Sequence, residues 1–324
     1  MKQLIILLLA VSTFSANAQN GRIINLTPIE SLEGTPIYSK LTIEKNGERV
    51  YKPKFQYLEN VSISKLVYES DGLEITGMMV RPKTEGTYPC IVFNRGGNRS
   101  FGKLLLGNAV MFGMLANEGY IVVASNYRGS NDEMGSKNSL DEFGGKDVND
   151  VINIIEALEN IEGADTERIG MYGWSRGAMM TYLALTKTNK IKAAVAGAGN
   201  ADLTQIDREN METGVYEEII PNYMENKVEE LEKRSAVFWA DKFPKDVPLL
   251  LLHGNADWRV QSKKSLQLAL ELDKYRVPYK LIIFEGGDHS LSEHKDEVNQ
   301  EVIDWFDKYV KENSTLPNME FHGQ

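Results

Sequence analysis

Gly173-Trp174-Ser175-Arg176-Gly177 sets a serine between two glycines, after an apolar strand (Ile169 to Tyr172) and before a helical run (Ala178 to Leu185). A G-x-S-x-G turn in that setting can hold a nucleophile. The serine takes a strained backbone conformation, and bulk at either glycine would strike the neighbouring helix or strand. The turn lifts Oγ above the sheet edge and aims the N–H of Arg176 at a developing oxyanion. A serine hydroxyl needs a base, and the base needs an orienting acid. The chain has four histidines. His253 closes the strand Pro248 to Leu252 ahead of every suitable acid and reads as structural, while His322 lies in the tail. His294 falls at a helix start between Glu293 and Lys295. His289, in Gly286-Gly287-Asp288-His289-Ser290, follows the strand Lys280 to Phe284 and is the expected base. Asp257, in His253-Gly254-Asn255-Ala256-Asp257, follows another strand and is the expected acid. Asp288 adjoins His289 directly and so points elsewhere.

Asn94-Arg95-Gly96-Gly97-Asn98 follows the strand Cys90 to Phe93. Its paired glycines permit close backbone approach, so the N–H groups of Gly96 and Arg176 are the expected oxyanion donors. Trp174, Trp258, Arg95 and Arg259 flank the same loops and are candidate substrate contacts. If two or more of Arg95, Arg99, Arg176 and Arg259 face the cleft, the pocket favours a substrate carboxylate through fork-like contacts. The plainer expectation is that they pair with nearby acids.

The elements that must carry these residues alternate. Ile63–Tyr68 and Leu73–Val80 read as a hairpin around Ser70-Asp71-Gly72. Strands then follow at Cys90, Tyr120, Ile169, Ile191, Pro248 and Lys280. Helices lie between them at Leu104–Asn117, Val148–Ile161, Ala178–Leu185 and Ser262–Leu272, and Val298–Val310 comes last. That order predicts an α/β fold, a doubly wound, mostly parallel sheet with helices on both faces. Loops at the carboxyl ends of such strands build its site. Residues 200–245 interrupt the pattern with acidic and aromatic residues and read as a lid-like insertion. Residues 19–60 read as an N-terminal arm or short strands packed onto the main domain, 61–312 as the catalytic domain and 313–324 as a loose tail.

The 324 residues carry 36 basic and 46 acidic side chains, a net charge of −10, and one cysteine. The acidic balance argues against nucleic-acid binding. A single cysteine excludes an intramolecular disulfide and a multi-cysteine zinc site. No dinucleotide fingerprint, phosphate loop or metal-spaced histidine pair is present, so neither cofactor nor metal is expected. Lys2, the apolar run Leu4 to Val11 and Ala16-Asn17-Ala18 form the pattern of a secretory leader, residues 1–18, cleaved near Ala18. The run is too short to span a bilayer. The mature protein is expected in the periplasm or outside the cell.

From about 61 to 312 the chain resembles the catalytic domain of the prolyl oligopeptidase family of serine peptidases. The resemblance rests on Ser70-Asp71-Gly72, Asn126-Tyr127-Arg128-Gly129-Ser130, Phe143-Gly144-Gly145-Lys146-Asp147 with Asp150, and Gly173 to Gly177. Arg234-Ser235, the Leu252-His253-Gly254 run through Asp257 to Val260, and His289 complete it. It implies an α/β-hydrolase fold with Ser175, Asp257 and His289 as the triad. It also implies that the Asn126–Ser130 and Gly144–Asp150 segments brace the nucleophile turn. Two departures stand out. Members usually carry an N-terminal β-propeller, yet only residues 19–60 separate the leader from the hydrolase. Many place a tyrosine hydroxyl at the oxyanion, yet the Arg95-Gly96-Gly97 loop has none. The expectation is an exported serine hydrolase acting on short peptides through an acyl-enzyme. An esterase on the same fold is the alternative, and a non-catalytic binding protein ranks last. The expected partner is a small-molecule or short-peptide substrate.

Overall fold

In the central strands, alternate apolar residues go to opposite faces of one sheet. Cys90 and Val92 are buried on one face, with Ile91 and Phe93 on the other; Leu249 and Leu251 divide from Leu250 and Leu252 in the same way. A strand covered on both sides reads as a continuous apolar run, and helices must supply the cover. The computed structural model describes residues 19–130 and 140–323. The expected leader lies outside the described residues.

In chain order the elements are β1 (Ile23–Ile29), α1 (Pro36–Leu41), β2 (Thr42–Lys45), β3 (Glu48–Tyr51), β4 (Val61–Ser70) and β5 (Leu73–Pro82). There follow β6 (Tyr88–Asn94), α2 (Asn108–Asn117), β7 (Ile121–Ser125), α3 (Val148–Ala157), β8 (Ala164–Trp174), α4 (Arg176–Leu185) and β9 (Ile191–Gly197). The insertion carries α5 (Glu209–Met211), α6 (Glu217–Ile219) and α7 (Tyr223–Lys233). Then come β10 (Leu249–Gly254), α8 (Lys263–Lys274), β11 (Tyr279–Phe284) and α9 (Lys295–Phe306).

Among the described residues nine strands form one sheet in the order β1-β4-β5-β7-β6-β8-β9-β10-β11. The six strands from β7 to β11 are parallel neighbours, and β5, β4 and β1 extend them antiparallel. Side chains of α2 and α9 fill one face, and those of α3, α4 and α8 fill the other. The β4–β5 turn is the two-residue Asp71-Gly72, both at positive φ (52° and 77°), the geometry that matches strand twist.

One expectation changes. The helix expected from Leu104 begins at Asn108, because the segment before it is held in a turn: Asn126 Oδ1 accepts the Leu104 N–H, and Asn108 Oδ1 accepts that of Leu105. Within residues 19–60, β1 pairs with β4 as the edge strand of the main sheet. The insertion folds against the α3–α4 face. Trp239 and Phe243 stack at 5.6 Å, and Arg234 donates to the Phe143 carbonyl at 2.9 Å. No helix among the described residues is long and apolar enough to cross a membrane.

Candidate active site

β8 delivers Ser175 to the tip of a sharp turn, where its φ is 58° and ψ −122°, a conformation that costs an L-residue free energy. The turn is held from both sides. The Ser175 N–H donates to the Gly197 carbonyl at 2.8 Å, and the Ser175 carbonyl accepts from Ala178 at 3.0 Å. Both flanking glycines are sterically required. A Cβ at Gly173 would overlap the Gly177 carbonyl, and one at Gly177 would overlap that of Asn94.

β10 and β11 bring up the partners. His289 Nε2 lies 3.0 Å from Ser175 Oγ, and its Nδ1 lies 2.7 Å from Asp257 Oδ2. A carboxylate can only accept, so Nδ1 carries the proton and Nε2 is left to accept that of the serine. Asp257 is fixed by its own turn, with Oδ1 accepting the N–H groups of Arg259 (2.8 Å) and Val260 (3.0 Å). Its Oδ2 also accepts from His253 Nε2 at 3.2 Å. That ring is buried, shares the same N–H with the Val260 carbonyl (2.8 Å) and accepts the Ser265 hydroxyl at Nδ1 (2.7 Å). Burial alone would raise the Asp257 pKa. The hydrogen bonds from His253 and His289 outweigh it and hold the carboxyl well below the usual carboxylate range. His294 is occupied elsewhere, with Nε2 on the Glu285 carbonyl at 3.0 Å. Asp288 accepts the N–H groups of Ser290 and Ser292, fixing the loop.

Gly96 packs directly on the serine: a Cβ there would lie 3.2 Å from Ser175 Cβ. Arg176 is the first residue of α4, so its N–H has no partner within the helix. Among the described residues neither backbone N–H has an acceptor, and Gly96 lies against Ser175. A cavity of 340 Å³ opens here, lined by Ser175 and His289, by Gly97 and Phe101, and by Trp258 and Arg259. The insertion completes its wall with Asp207, Arg208, Met211, Val215 and Tyr216, residues that no sequence motif marks.

Four of the residues expected near substrate do other work. Arg95 is buried, and its guanidinium donates to the carbonyls of Gly96, Arg99, Phe101 and Asn126, bracing the glycine loop from behind. Burial, with Arg176 as a like-charged neighbour, pushes its pKa down to about 10, so it is still cationic. Trp174 also lies outside the cavity wall. Its indole N–H donates to the His289 carbonyl at 2.9 Å and so holds the histidine loop. The Arg176 side chain is sealed between Tyr127 and Phe143 and paired with Asp141 (2.6 Å) and Asp147. Arg99 is likewise engaged, by Glu218 and the Gly214 carbonyl. Only Trp258 and Arg259 of the expected contacts face the cavity. Asp147 meets the turn through its pair with Arg176, while buried Arg128 ties its own segment to Asp150 at 2.7 Å. Among the described residues no group of three His, Cys, Asp or Glu is arranged to hold a metal ion.

Comparison with known proteins agrees with this architecture. The profile of the "Prolyl oligopeptidase family" matches residues 109–313, more than half of the chain. The chain is 27% identical over 234 residues to "Uncharacterized peptidase YtmA" of Bacillus subtilis, covering 71% of this chain and 87% of that protein. It is 30% identical over 257 residues to "Uncharacterized peptidase YuxL" of the same organism, covering 74% of this chain but only 38% of the relative. Among solved structures, the acylaminoacyl peptidase of Pyrococcus horikoshii superposes with a TM-score of 0.69 at 25% identity. That match covers 85% of this chain and 47% of the other.

Proposed function

The chain belongs to the prolyl oligopeptidase family of serine peptidases, has the α/β-hydrolase fold and is a serine hydrolase; from that premise we propose that it cleaves short peptides with Ser175, His289 and Asp257 as its triad. The observation that carries this reading is the unbroken chain from Ser175 Oγ through His289 to Asp257, opening on a 340 Å³ cavity. His289 Nε2 takes the hydroxyl proton as Oγ attacks the substrate carbonyl carbon. The carbonyl oxygen gains the negative charge and is met by the N–H groups of Gly96 and Arg176. Asp257 stabilises the imidazolium without taking its proton. The tetrahedral adduct then collapses, His289 hands the proton to the leaving amine, and the acyl group stays on Ser175. Water, deprotonated by the same histidine, releases the acid.

The enzyme is also read as exported. Lys2, Leu4–Val11 and Ala16-Asn17-Ala18 support that part of the proposal.

A fluorophosphonate probe is expected to label the wild-type chain and not Ser175→Ala, whose kcat/KM should fall by a factor on the order of 10⁴ or more. Parallel assays on peptidyl p-nitroanilides and p-nitrophenyl esters then test the substrate. Turnover of esters alone would replace the peptidase reading with an esterase. A wild-type chain that resists the probe would end both.

A further inference from the structure

The described arginines divide sharply. All but two guanidiniums have a carboxylate, carbonyl or hydroxyl partner: Arg22, Arg99, Arg128, Arg168, Arg176, Arg234 and Arg276 pair with acids, and Arg49, Arg81 and Arg95 donate to neutral oxygens. The exceptions are Arg208 and Arg259. Both line the cavity beside Ser175. Their guanidinium carbons lie 5.9 Å and 5.3 Å from the same Trp258 ring, so the two charges flank one aromatic surface. Arg208 Nε is buried and donates to nothing among the described residues. A buried charged donor without an acceptor is costly, and two like charges in one cavity repel.

Asp207, the acid that shares the cavity lining, does not supply the missing partner. Asp207 lies 3.8 Å from the buried Lys264 Nζ through Oδ1 and accepts the Gln261 N–H through Oδ2, out of ion-pair reach of either arginine. Arg176 and Arg95 add no free charge either, since the first is sealed by Asp141 and Asp147 and the second by carbonyls. The cavity wall thus holds two part-buried guanidiniums with no protein acceptor among the described residues, placed to meet an incoming group.

We propose that Arg208 and Arg259 form an anion subsite that selects substrates with a carboxylate in the acyl portion, close to the scissile bond. The inference rests on the hydrolase reading above and adds the substrate's charge. Planar guanidiniums suit a carboxylate through paired N–H donors, and the exposed Trp258 ring covers the methylene stem that carries it. A neutral isostere would leave the same donors unsatisfied, which is how such a site discriminates.

The test uses the full chain and paired acyl-dipeptide p-nitroanilides that differ only in Glu or Gln. The pair is placed first at the residue giving the scissile carbonyl and then at the one before it. If only esters turn over, the same pairs are read as p-nitrophenyl esters. Wild type is expected to prefer Glu at least tenfold in kcat/KM in one of the two placements. Arg208→Gln and Arg259→Gln should each collapse that ratio toward one, while Arg208→Lys retains part of it. A wild-type ratio of one or less in both placements overturns the subsite, as does a ratio that neither Gln variant moves. The wild-type ratio decides alone if the variants do not fold. Fluorophosphonate labelling of Ser175 with a flat Glu/Gln ratio rejects the subsite and leaves the hydrolase standing. No labelling and no turnover rejects both.

Discussion

Asp257 holds two imidazoles at once, His289 at 2.7 Å and His253 at 3.2 Å, and two backbone N–H groups besides. Such a carboxylate has a pKa depressed below the unfolded value near 3.9. The sign of the linkage follows. The bound charge stabilises the fold above about pH 4, and that contribution fades as the pH falls from there toward the folded pKa. Asp257→Asn should therefore melt below wild type at pH 7, and the gap should narrow by pH 3; a gap that ignores pH would mean the charge is not what the histidines hold. The same variant should lose on the order of 10⁴ in kcat, because an amide does not fix the His289 tautomer. At this scale the meeting of Ser175, His289 and Asp257 was legible, each standing in a loop after an apolar strand. The directions of Arg95 and Trp174 were not. Both turn away from the cavity toward carbonyls, of Asn126 and His289, that are distant in sequence. Arg208 had no signal at all, since its placement depends on how the insertion folds back over Ser175.

The strand-to-helix turn works only because two elements approach it more closely than side chains allow. At Gly177 the first turn of α4 lies against the Asn94 carbonyl at the end of β6, so a methyl group there meets backbone rather than a movable side chain. Gly177→Ala is expected to cost about 3 kcal/mol of stability and to displace Ser175, with a matching loss of probe labelling. Gly107→Ala is the control: a Cβ there meets nothing within 4 Å, and its φ is already helical at −61°. It should leave the unfolding midpoint unchanged or slightly raised. Chemical denaturation of both variants checks the contrast, and equal losses would mean the close approach is not what fixes the glycine. Elements buried on two faces announced themselves through their apolar runs. β1 did not, because it is an edge strand whose middle is exposed and which contains Pro28, so neither alternation nor a continuous run marks it. β8 likewise starts at Ala164 rather than Ile169, its first residues being polar and half-exposed.

If the chain is exported as proposed, its one thiol could pair with a second copy, and its position in the fold removes that risk. Cys90 lies on β6, between β7 and β8 near the middle of the sheet, with no exposed surface. Burial pushes its thiol pKa up to about 12, so no thiolate is present at neutral pH to attack a disulfide or an electrophile. Reaching it requires the sheet to open, which makes its reactivity a report on global rather than local unfolding. Export and burial are tested together on protein recovered from the periplasm or medium of an expressing cell. Its N-terminus should be Gln19, its mass should show one free thiol and no disulfide-linked dimer, and a maleimide should modify it only after denaturation. An uncleaved, cell-retained chain would overturn export while leaving the burial argument intact. Rapid modification of Cys90 in the native protein would instead show that the centre of the sheet opens far below the threshold for unfolding, a state in which the Asn94–Gly177 contact beneath Ser175 could not be kept.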